Sequence, residues 1–110
     1  MNYPEVMSEI LRNRLPDVYG GLLMDVEFYT REPGFGLQGD YLDEQGNFIC
    51  YANCSELVDS IGEIVYAWNK VTLATEEQWN KAQFIVYRTG KNQMRSWWDQ
   101  RFQEKIYRNR

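Results

Sequence analysis

An α+β fold, with helices on one face of an antiparallel sheet of about five strands, is predicted by three features of the sequence. Apolar residues alternate with polar ones in short stretches, most clearly over 22–29 and 82–87. Two longer stretches repeat their apolar residues at helical spacing, and turn residues rather than linkers separate neighbouring strands. The predicted order is α-β-β-β-α-β-β-α. No repeat or low-complexity segment divides the 110 residues, so 1–110 is read as a single domain, long enough to bury a core without staples.

The first helix is expected over 4–15. Pro4 suits a first turn, where its missing N–H would have no partner, and Val6, Met7, Ile10, Leu11 and Leu15 fall on one face. Pro16-Asp17 ends it. In the first strand Leu22, Met24, Val26 and Phe28 point one way, and Leu23, Asp25, Glu27 and Tyr29 the other. Arg31-Glu32-Pro33-Gly34 is a turn. A second strand follows, Phe35, Leu37 and Tyr41 alternating with Gln38 and Asp40; the turn Asp43-Glu44-Gln45-Gly46-Asn47 leads to a third over 48–51. Short connections make these an antiparallel meander.

Asn53 starts the second helix, and Glu56 three residues on predicts a capping box. Leu57, Ile61, Ile64, Val65 and Trp68 form its apolar stripe, with Glu56, Asp59 and Glu63 opposite. Thr75 and Gln78 offer a further cap in the connection over 71–78. Ala82, Phe84 and Val86 alternate with Gln83, Ile85 and Tyr87 in a fourth strand, and Thr89-Gly90-Lys91 turns into a fifth over 93–98. Phe102 and Ile106 are spaced for a short final helix with Lys105, Arg108 and Arg110 in its last turns.

Composition is that of a globular chain, 44% apolar and 25% charged. The aromatic fraction of 15% can serve one thick core or leave rings for an interface, where Tyr and Trp are favoured. No run approaches the roughly 18 apolar residues of a membrane span, and Met1-Asn2-Tyr3-Pro4-Glu5 is not a secretory leader, so a cytoplasmic setting is expected. The Asn53-Cys54-Ser55 sequon is then incidental. Net charge is −4, divided into −8 over 1–70 and +4 over 71–110. An acidic front half argues against nucleic acid, whose phosphates would repel it, and suits a basic protein partner.

Motifs for chemistry are sparse. Gly34-Phe35-Gly36-Leu37-Gln38-Gly39 matches G-x-G-x-x-G in letters, but a dinucleotide loop needs a helix after it and here a strand follows. Cys50 and Cys54 lack the further ligands a zinc site needs, since the chain has no other cysteine and no histidine. They read as buried small apolar residues or as a redox-sensitive thiol near a helix start, reduced in either case. The carboxylates Asp25, Glu27, Asp40, Asp43 and Glu44 read as a solvated strand face, as an acidic patch turned to a partner, or as an acid–base pair of a small carboxylate-dependent hydrolase. No catalytic residue, metal or cofactor is assigned. A protein-interaction module, such as a secretion chaperone or adaptor, is the broader expectation.

The chain also resembles the YezG-type immunity proteins of bacterial polymorphic-toxin and contact-dependent inhibition systems. The likeness lies in an opening helix ending in Leu-Pro (Ile10-Leu11-Arg12-Asn13-Arg14-Leu15-Pro16), then a strand running into Ser55-Glu56-Leu57-Val58-Asp59-Ser60-Ile61. Its last part is a Trp before a strand and Gly turn: Gln78-Trp79-Asn80-Lys81-Ala82-Gln83-Phe84, Thr89-Gly90-Lys91 and the later Trp98-Asp99. The basic tail over 101–110 departs from that pattern. The resemblance implies a non-enzymatic cytoplasmic antitoxin that binds a toxin protein and blocks it, and it leaves the interface unassigned. With a nuclease as the toxin, the expected contacts are Asp25, Glu27, Tyr29, Asp40, Asp43 and Glu44, with Glu56, Asp59 and Glu63 as the next surface.

Overall fold

The computed structural model describes residues 2–31, 34–73 and 75–108. The elements run α1 (Tyr3–Arg14), β1 (Gly21–Phe28), β2 (Phe35–Leu42), β3 (Phe48–Tyr51), α2 (Cys54–Thr72), β4 (Lys81–Tyr87), β5 (Asn92–Trp97) and α3 (Gln100–Tyr107). The predicted order and class are both present. All five strands form one antiparallel sheet in the order β3-β2-β1-β4-β5.

Local sequence accounts for the element ends. Asn2 caps α1 by accepting from the Glu5 amide at 3.1 Å, so the helix starts one residue before the expected Pro4. The β2–β3 turn is built by Asp43, whose carboxylate accepts from the Gln45 and Asn47 amides, both at 2.9 Å. Gly46 completes it at φ +88, a conformation that penalises any side chain. The turn expected at 31–34 lies partly outside the described residues. Asn53 caps α2 but accepts from Ser55, two residues on, so the cap is an Asx turn and not the predicted box. Thr75 starts no helix: its hydroxyl donates to the Thr72 carbonyl and receives the Glu77 amide, closing the end of α2.

The core lies between one sheet face and the pair α1 and α2, which also pack on each other. Leu22, Met24, Val26 and Phe28 of β1 and Ala82, Phe84 and Val86 of β4 are buried as their alternation predicts. Met7 and Leu11 of α1, Leu15 just after it, and Ile61, Val65 and Trp68 of α2 close over them. Ile64 is only partly buried, at the margin of its stripe; the side chain of Leu57 lies outside the described residues. Trp79 fills the centre beside Trp68, ring centroids 4.4 Å apart, and meets Phe28 edge to face at 5.8 Å. Asn69, wholly buried, donates to the Trp79 carbonyl at 2.7 Å and fixes the chain between α2 and β4.

The remaining helix closes one end of the sheet. Asp99 caps α3 by accepting from the Phe102 amide at 2.9 Å. Phe102 packs on Tyr29 and under the Lys81 ammonium, and the Tyr107 hydroxyl accepts from the Arg31 amide at 3.0 Å. At the opposite end Arg88 donates to the Pro16 and Tyr19 carbonyls and lies 3.5 Å from Asp17. Gly20 fits there because a side chain would meet the Glu44 backbone at 2.6 Å.

Candidate functional site

Antiparallel register sorts the sheet face turned away from α1 and α2 into rows. One row runs Tyr51, Asp40, Leu23, Ile85, Gln93; the next Gln38, Asp25, Gln83, Arg95; the third Gly36, Glu27, Lys81, Trp97. The division of charge in the sequence thereby becomes a division across the surface. Carboxylates stand on β1 and β2, while Lys81 and Arg95 stand on β4 and β5.

The predicted site residues take different places on this frame. Asp25 accepts from the Gln83 amide at 2.9 Å. Glu27 is exposed and lies 3.9 Å from Lys81, which also reaches Asp99 at 3.5 Å. Asp40 is half-buried, and one of its carboxylate oxygens has no hydrogen-bond partner among the described residues. Asp43 is committed to its turn, and the amide of Asn47 leads the bonds that hold its carboxyl below the usual Asp range. Glu44 is exposed on the same turn, beside Gly20 and at the rim of a groove shared with Tyr87, Arg88 and Lys91. Tyr29 is half-buried: its ring packs on Phe102 and its hydroxyl lies against Gly36.

Asp25, Glu27 and Asp40 therefore share one face, while Asp43 and Glu44 sit at the other end of the β1–β2 pair from Glu27. Among the described residues, Asp25, Asp40 and Glu44 have no Lys or Arg within ion-pair distance. No three Cys, Asp or Glu side chains converge to hold a metal ion among the described residues. The Cys50 thiol donates to the Tyr19 hydroxyl at 3.3 Å. The side chain of Cys54 lies outside the described residues. Glu56, Asp59 and Glu63 are exposed on α2. Burial is the main reason, and the Glu56 charge the next, that Tyr41 titrates above its ordinary value.

The residues that sequence reasoning passed over are on β3. Phe48, Ile49 and Tyr51 are 55%, 45% and 72% exposed, and the Phe48 and Tyr51 rings meet edge to face at 5.2 Å. The signal was present as Phe48-Ile49-Cys50-Tyr51, an apolar run without alternation, which reads as a strand buried on both faces but here occupies the sheet edge. No helix among the described residues is long and apolar enough to cross a membrane. No protein-family model matches the sequence, and no curated protein matches it.

Proposed function

We propose that this protein is an immunity protein, which binds a cognate toxin in a stoichiometric complex and blocks it, and that the toxin is a nuclease. The observation that supports this reading most directly is the set Asp25, Asp40 and Glu44, carboxylates on β1, β2 and the β2–β3 turn with no cation in ion-pair distance among the described residues. Nuclease substrate sites are basic because they hold phosphate, and an acidic protein surface competes for them on the same electrostatic terms. Glu27 adds to this surface, since its pairing with Lys81 is long and solvent-screened. Asp43 contributes by shaping the turn that presents Glu44.

The test is co-expression with the product of the adjacent gene. A complex of fixed stoichiometry that abolishes that product's nuclease activity is the expected result. An adjacent product that binds without losing activity points to a chaperone or adaptor instead, and hydrolytic activity of this chain that disappears on a single Asp→Asn or Glu→Gln change points to an enzyme.

A further inference from the structure

The edge strand β3 is an unusual place for three large apolar side chains. Natural edges are commonly blunted by Lys, Pro or a charge pointing inward, and Phe48-Ile49-Cys50-Tyr51 contains none of these. A bulge between Tyr41 and Leu42 sets Phe48 opposite Leu42 and leaves Ile49 as the extra residue, which restricts further pairing at that end. The other end is regular. Ala52 donates to the Gly39 carbonyl at 2.8 Å, so by antiparallel alternation the N–H and C=O of Tyr51 turn outward, away from β2.

Charge selects the occupant. Residues 32–69 hold seven carboxylates and no Lys or Arg. Asp40, Asp43 and Glu44 precede β3 on β2 and the turn, and Glu56 follows it in the first turn of α2. A second copy docking here would bring two acidic segments together, whereas a basic partner would be drawn in. We infer that β3 docks an extended basic segment of a partner protein, which lies along the Tyr51 end of the strand with its apolar side chains on Phe48, Ile49 and Tyr51 and its Lys or Arg side chains toward Asp40, Glu44 and Glu56. This deepens the toxin-binding reading by placing the apolar centre of the interface, but a basic partner of another kind would engage it in the same way.

The probe is a blocked synthetic peptide alternating lysine and valine, titrated into the intact protein while its amide resonances are followed by NMR. Saturable shifts at 48–51 and 40–44 are expected, with none from a peptide alternating glutamate and valine. A folded Phe48→Ser/Tyr51→Ser variant should bind the basic peptide about tenfold more weakly or worse. The inference is overturned by no shifts at β3, by equal binding of both peptides, or by a wild-type dimer in sedimentation that this variant disperses. Undiminished binding of the adjacent gene's product to the variant overturns the placement of the toxin on β3, and leaves the immunity reading intact. Peptide binding at β3 without any binding of that product has the opposite effect: it supports docking at β3 and removes the toxin assignment.

Discussion

The side chain of Asn80 holds both backbone groups of Asp99: its oxygen accepts the Asp99 N–H at 2.7 Å, and its nitrogen donates to the Asp99 carbonyl at 3.0 Å. Asn80 is itself fully buried, just before β4, and Asp99 is the cap of α3. One amide thus ties the last helix to the centre of the sheet. Asn80→Ala should leave the Asp99 N–H unpaired and its carbonyl with only the Gln103 amide, at 3.1 Å, and cost roughly 1–3 kcal/mol. Chemical denaturation measures the total, and hydrogen exchange should show α3 opening before the sheet.

The same cap predicts an acid response. The Phe102 amide is the main cause, with Lys81 assisting, that the Asp99 carboxyl is held below its ordinary value of 3.8. A carboxyl depressed by folding binds its proton more weakly in the folded state, so its stabilisation is present above the ordinary value and is lost as pH falls through the depressed one. An asparagine side chain at this position would still cap the helix but has no proton to exchange. The stability difference between wild type and Asp99→Asn should therefore shrink as pH drops below about 4, which denaturation midpoints over that range will record.

Core position separates two isoleucines that the helical stripe groups together. Ile61 is wholly buried and Ile64 only partly so. Ile61→Ala should cost roughly 2–5 kcal/mol, and Ile64→Ala about 1–2 kcal/mol, in proportion to the smaller area it removes from water. Equal costs, measured by urea titration, would mean that α2 is rotated about its axis relative to this description.

Charge reversal tests the acidic surface. Glu27 and Glu44 are both exposed, so Glu27→Lys/Glu44→Lys should fold normally by circular dichroism. Its toxin association should slow and lose part of its salt dependence, as expected for steering charges. Asp40 is half-buried, and Asn is the suitable replacement there; a loss of about 2 kcal/mol or more in affinity would mark it as central. An unchanged association rate for the double variant would remove the acidic-surface mechanism.

Element order and the buried faces of β1 and β4 are legible because alternation is a local property, and a strand with one buried face writes it directly into the sequence. Register and exposure at the sheet's margins are not local. Parity alone assigns Asp25, Glu27 and Asp40 to one face, but parity does not say that Gln83 and Lys81 stand beside the first two. Tyr29 continues the alternation of β1 on paper, whereas α3 returns from far along the chain to cover it. Asn53 and Glu56 have the spacing of a capping box, yet the cap closes on Ser55, since an Asn side chain is short enough to bond two residues ahead. The Phe48–Tyr51 run reads as a strand without a position, because only the strand order tells an edge from a centre.

That strand order has a consequence for how the chain assembles. Every strand can find one partner through a hairpin, β1 with β2, β2 with β3 and β4 with β5, but the seam joining Leu22 to Val86 and Met24 to Phe84 must wait until α2 has been spanned. Closing so long a loop is entropically slow, and the β1–β3 meander and the β4–β5 hairpin have little reason to lock before it happens. The exposed connection at Glu76-Glu77-Gln78 lies between them. A chain cut there should behave as two complementary pieces, each with its own hairpin and half of the hydrophobic seam, and mixing them should restore the whole sheet at a rate set by their concentration.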